Sequence, residues 1–147
     1  MVQLGLADIL QVLYGSLLLP REVAEELSQE NTPAAVRSWI NNAPTWVQIL
    51  DPTPVTNPIL LRLDAGEREA LQLALDKAAV LVLVDERKGV RIARSLGLAV
   101  TGTLGILRDA HNNDLIDARV QYLRLTVETN FRHTDNLFSY FLKLLKT

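Results

Sequence analysis

The stretch LDAGEREALQLALDKAAVLVLVDERKGVRIARSLGLAVTGTLGIL, residues 63–107, decides the fold of this 147-residue chain. It sets Asp64 and Glu67 at a helix start, then Asp85 and Glu86 where an apolar run ends. Residues 79–84 carry no polar side chain, the pattern of a strand buried on both faces of a parallel sheet. A carboxylate just beyond the C-terminal end of such a strand faces the crevice in which open α/β sheets bind ligands. Residues 85–96 read as a helix, with Val90, Ala93 and Leu96 on one face and Gly97 placed to end it. A short strand at 98–101 and a helix at 102–110 complete the stretch. Strand, crossover helix and strand predict an α/β protein with a small parallel sheet flanked by helices.

Outward from this centre the same alternation continues. Residues 3–14 place Leu4, Leu6, Ile9, Leu10 and Leu13 at helical spacing, and Gly15 stops the run. Residues 16–19 predict a short strand ended by Pro20, which then opens the helix PREVAEELSQE over 20–30. Thr32-Pro33 reads as an N-cap and first helical residue for AAVRSWINN, residues 34–42. Residues 46–50 alternate as a strand does, and 51–58, with three prolines, form a loop. Helices at 117–129 and 134–146 close the chain around Asn130-Phe131-Arg132.

A single domain over 1–147 accommodates these elements, and the length suffices for a proper core. Aromatic residues are only 5% against 48% apolar, a balance that favours α/β layers over an all-β sandwich. The net charge of −2 excludes a general basic coat for nucleic acid while leaving room for a local basic patch. The absence of cysteine excludes disulfides, Cys-ligated zinc and thiol chemistry. No apolar run approaches the roughly 20 residues of a membrane span. The N-terminus also lacks the pattern of a secretory signal, so a soluble, cytoplasmic protein is expected.

Carboxylates gathered at a crevice, in a chain with only two histidines, point to hard-cation chemistry on phosphate. Glu67 shares a helix face with Ala70, Leu71 and Ala74 and so points toward the sheet's edge or crevice. Three residues after Asp64, it also fits a capping box, and the two roles are compatible. Glu69 lies off that face, toward solvent. Asp85 is either a crevice acid or the N-cap of the next helix, and Glu86 reads as an ordinary first-turn acid. Glu26, beside Glu25, borders an apolar helix face through Val23 and Leu27, although such a pair also suits plain surface charge. Arg87, Lys88, Arg91 and Arg94 follow Asp85 on one helix. They suit the backbone of RNA or DNA and equally suit a solvated face. His111 and His133 lack metal-ligand spacing and read as structural or surface residues. TGTLG at 101–105 could present backbone N–H groups to phosphate, yet it matches no P-loop or GxGxxG pattern.

In their order and spacing, LPREVAEEL, LDAGEREALQLAL, VLVLVDERKGVRIARSLGL and VTGTLGIL resemble a PIN-domain-like family related to VapC-type toxin ribonucleases. The resemblance implies a three-layer α/β/α sandwich with a small parallel sheet. It implies acids clustered at one end that bind Mg²⁺ or Mn²⁺ and support hydrolysis of RNA phosphodiesters. Carried over by position, the catalytic and metal-binding acids are Glu26, Glu67 and Asp85, with Glu69 an alternative register for Glu67 and Glu86 adjacent to Asp85 as a further ligand. Arg87, Lys88 and Arg91 would hold nucleic acid. Such carboxylates would position one or two cations that activate water and stabilise the leaving oxygen.

Members of that family normally begin with a strand ending in Asp-Thr-Ser, ahead of the segment matched by LGLADILQVLYG. This sequence starts at Met1-Val2-Gln3 without it, and Asp8 lies inside the following helix and does not replace its Asp. The expected fold is therefore PIN-like with its first strand missing. Either the start lies upstream, or a remnant pairs 16–19 directly with 79–84 or borrows a strand. Two functions follow from the resemblance: a metal-dependent toxin ribonuclease restrained by a small antitoxin, impaired by the missing acid, or a catalytically dead module that binds nucleic acid or protein. A small-molecule enzyme or response-regulator-like switch lacks its fingerprint. Exposed apolar strand edges predict a homo-oligomer.

Overall fold

Leu17–Pro20 (β1) and Val47–Leu50 (β2) pair in parallel in the computed structural model, which describes residues 1–129, 131 and 135–145. Leu17 lies opposite Val47 and Pro20 opposite Leu50. A parallel pair needs a long crossover, here α2 (Arg21–Leu27) and α3 (Ala34–Asn41). Pro20 is both the last residue of β1 and the N-cap of α2, a junction where its missing N–H costs nothing. Thr32 does not cap α3 as its sequence position predicts. Its hydroxyl donates to the Glu26 carbonyl at 3.0 Å, and Pro33 takes the N-cap position.

The loop after β2 ends in a 3-10 turn, Leu60–Arg62, that feeds α4 (Ala65–Asp76). The second parallel pair joins Val82–Leu83 (β3) to Val100–Thr101 (β4), with α5 (Arg87–Ser95) as its crossover. The strand expected over 79–84 is thus reduced to residues 82–83. Ala78 turns the chain out of α4 at φ +49°, the Ala79 N–H donates to the Ala74 carbonyl at 2.9 Å, and Val80 is 91% exposed. The first residues of the apolar run are consumed in leaving the helix.

Direct pairing of 16–19 with 79–84 does not form among the described residues. Each strand instead pairs with the strand at the far end of its own helical crossover, giving two two-stranded parallel sheets. Helix α4 packs against both β1 and β3. The architecture is mixed α/β with small parallel sheets, as the alternation of elements predicts.

The chain condenses into two compact units. Residues 16–102 hold β1 to β4 and α2 to α5. Their core gathers Leu60, Leu63, Leu71, Ala74, Val82, Val84, Ile92 and Ala93. The other unit joins residues 1–15 to the chain from 103 onward. Here the expected 3–14 helix is split: a 3-10 turn, Val2–Leu4, ends at Gly5 with φ +71°, and α1 runs over Asp8–Tyr14. With it stand α6 (Thr103–Asn112), α7 (Ala118–Glu128) and α8 (Asp135–Leu144). Leu4, Leu107, Ala118, Leu125 and Leu145 surround the fully buried rings of Tyr122 and Phe141, whose centroids are 5.1 Å apart. Asn130, Arg132, His133, Thr134 and Lys146 lie outside the described residues.

Candidate functional site

Glu26, Glu67 and Asp85 each rest against a glycine in the unit of residues 16–102. Glu26, one residue from the C-terminal end of α2, lays its carboxylate on the first turn of α4. A Cβ built on Gly66 would lie 2.9 Å from each Glu26 carboxylate oxygen, and the Gly66 N–H donates to that carboxylate. Glu67, the next residue, reaches Gly89 of α5. A Cβ there would lie 3.4 Å from Glu67 Oε2 and only 2.8 Å from Val84 Cγ1. Asp85 follows the end of β3 and lies over Gly102, just past the end of β4. A Cβ on Gly102 would fall 2.7 Å from Asp85 Oδ1. Because β3 and β4 are parallel, both residues sit at the C-terminal edge of that sheet.

Neither expected cap is made. Asp64 stands at the N-cap of α4 with no side-chain capping bond. Glu86, not Asp85, occupies the N-cap of α5, also without one. Asp64 therefore leaves its negative charge among the other acids, where it acts on both Glu26 and Glu67. Burial pushes the Glu26 carboxyl up, and the charges of Glu22, Asp64 and Glu69 push it further, with the Gly66 N–H opposing. Glu26 as a whole residue is exposed, so the burial that counts is of its headgroup against the start of α4. Glu67 is raised by burial, then by Glu86 and Asp64, with Lys88 opposing. The acids that matter to one another thus include Asp64, which capping-box spacing disguised, and Glu69, which is half-buried rather than solvated. Glu25 is exposed on α2.

The basic residues separate. Arg87, Arg91 and Arg94 join Asp85 and Val90 around an open groove of about 500 Å³. Lys88 turns to the other side, where its Nζ donates to the Arg62 carbonyl and its charge is felt by Glu67. Arg94 is thus grouped with Arg87 and Arg91, and Lys88 is not. In the other unit, His111 Nδ1 accepts the Ala118 N–H at 3.2 Å, a structural role that ties α6 to α7. Asp8 is exposed at the start of α1.

A family model described as a PIN domain matches residues 1–147. The chain belongs to the PIN-domain family. No curated protein and no solved structure matches it.

PIN domains are expected to use a divalent cation, and the donor chemistry of this PIN-domain chain suits one, since carboxylate oxygens are what Mg²⁺ and Mn²⁺ take. The arrangement does not. Among the described residues no three acids or histidines are grouped to hold one metal ion. Glu26, Glu67 and Asp85 are each held on a separate glycine. What the arrangement presents is a row of carboxylates along α2, α4 and the start of α5, with an arginine groove beside its last member.

Proposed function

We propose that this PIN-domain protein binds RNA by its phosphodiester backbone in the arginine groove beside Asp85, and that it is a ribonuclease of the VapC-related kind. The observation that carries the reading is Asp85 at the C-terminal edge of a parallel sheet, where the groove lined by Arg87, Arg91 and Arg94 of α5 begins. That is where α/β sheets place ligands, and arginines there pair with phosphate oxygens in bidentate fashion. Family membership supports nuclease chemistry. The family resemblance, rather than the arrangement of the acids, supports Glu26, Glu67 and Asp85, with Glu86, as the residues that carry it with Mg²⁺ or Mn²⁺. Among the described residues these acids are not grouped around one ion.

A second reading is favoured by that same separation: a PIN-like module that binds nucleic acid or protein without cutting. Self-association with a second copy accompanies either reading, supported by exposed Val120, Leu123 and Val127 at helical spacing on α7. The family resemblance implies a small antitoxin as a further partner.

Cleavage of a mixed-sequence single-stranded RNA with Mn²⁺, with EDTA and with Asp85→Asn tests the proposal. Metal-dependent cutting that falls at least about 100-fold in Asp85→Asn supports the nuclease. Retention of the RNA without cutting supports the module. Failure to bind RNA at all rejects both RNA readings.

A further inference from the structure

Gly66, Gly89 and Gly102 differ in kind from the chain's turn glycines. Gly5, Gly15 and Gly97 adopt positive φ and have nothing near the place of a Cβ, so the backbone alone explains them. Gly66, Gly89 and Gly102 have ordinary φ and crowded surroundings. Gly66 and Gly89 lie inside helices, where alanine is normally the better residue. At all three the place of a Cβ is taken by a neighbouring side chain.

We infer that Gly66 and Gly102 are positioning residues, bare seats on the main chain that hold the carboxylates of Glu26 and Asp85, and that Gly89 serves Glu67 in the same way while admitting Val84. The seats interlock the motifs in chain order. The glycine of GEREA receives Glu26 of PREVAEEL, the glycine of DERKG receives Glu67 of GEREA, and the first glycine of TGTLG receives Asp85 of DERKG. Each motif after the first therefore seats one acid of the motif before it. The inference deepens the proposed nuclease and rests on that reading only for the purpose of the acids. The contacts themselves are geometric.

At Gly66 the obstacle to a methyl group is the far end of a long side chain, 2.9 Å from the Cβ position. Shortening that side chain should remove the obstacle. Gly66→Ala is expected to turn the Glu26 carboxylate off its seat, so that it raises Tm less than the same substitution made in Glu26→Asp, where the carboxylate is already withdrawn by one methylene. Thermal unfolding of the two single variants and the double variant reads this coupling, and a difference of about 1 °C or more supports the seat. Equal effects of Gly66→Ala with and without Glu26→Asp overturn it. Should Gly66→Ala alone not fold, folding of the double variant supports the seat and its failure to fold counts against it. RNA cleavage with Mn²⁺ by the same variants reports separately on the nuclease. A wild-type chain that cuts no RNA defeats that reading and leaves the thermal coupling to decide the seat.

Discussion

Glu26 and Glu67 bear the electrostatic cost of the acidic row. Both carboxyls are raised, first by burial and then by neighbouring acids. A folded pKa above the unfolded value of about 4.3 means that the folded chain binds the proton more tightly. The stability this contributes is present below the unfolded value and is lost as pH rises through the folded one. At neutral pH each carboxylate therefore weakens the fold. Glu26→Gln and Glu67→Gln are expected to stabilise the chain near pH 7.5, each by at most about 0.5 kcal/mol because solvent screens these positions. Near pH 3.5 the gain should vanish. Thermal unfolding at both pH values decides it, and a destabilised Glu26→Gln near pH 7.5 would mean that its bond to the Gly66 N–H outweighs the repulsion. At this scale the sequence is readable where chemistry follows chain position. Asp85 after an apolar run and Glu67 on an apolar helix face both stand out from their neighbours in the sequence itself. Asp64 does not, because an acid at a helix start has an ordinary explanation in capping, and only the absence of that bond exposes its other role. The glycine seats are also invisible in one dimension, since each pairs residues between 17 and 40 positions apart.

Among the elements, helix positions and the presence of parallel strands follow from periodicity, but the extent of β3 does not. An unbroken apolar run at 79–84 cannot by itself say how many of its residues are spent leaving α4. Val80 is 91% exposed, whereas Val82 is 6% exposed and packs into the core of its unit. The two valines therefore test the short strand against the long one. Val82→Ala is expected to cost about 2 kcal/mol through lost burial and the cavity left behind. Val80→Ala should stay within about 0.5 kcal/mol, the range of a surface change. Chemical denaturation of the two variants makes the comparison. Comparable losses at both positions would show that residues 79–84 behave as one buried strand. The pairing of β1 with β2, and of β3 with β4, is no more legible than the strand's extent. Sequence alternation identifies strands but does not say which edges meet, and here each strand pairs across its own helical crossover.

For the whole molecule, the net charge of −2 sets the terms on which a polyanion can bind. General attraction is absent, so the proposed binding to RNA must come from local charge, and the groove offers Arg87, Arg91 and Arg94 against a single Asp85. Composition makes the requirement for a local patch readable, but not which cations form it, because consecutive helix residues point in different directions. Lys88 is adjacent to Arg87 in sequence, yet it is spent on the Arg62 carbonyl beside Glu67. Each single-strand phosphate neutralised by an arginine contributes about −0.7 to the slope of log K against log salt concentration. Three arginines therefore predict a slope near about −2, nearly independent of RNA sequence. Arg91→Ala should reduce the slope to about −1.4 and weaken binding to every RNA alike, while Lys88→Ala should leave the slope unchanged. Fluorescence anisotropy with a labelled single strand, titrated at several salt concentrations, separates the two variants. A slope that falls with Lys88→Ala and not with Arg91→Ala would move the RNA path away from the groove and onto the acidic row. There, phosphate would meet Glu67 and Asp64, so of these two paths the arginine side of Asp85 gives a polyanion the more favourable approach.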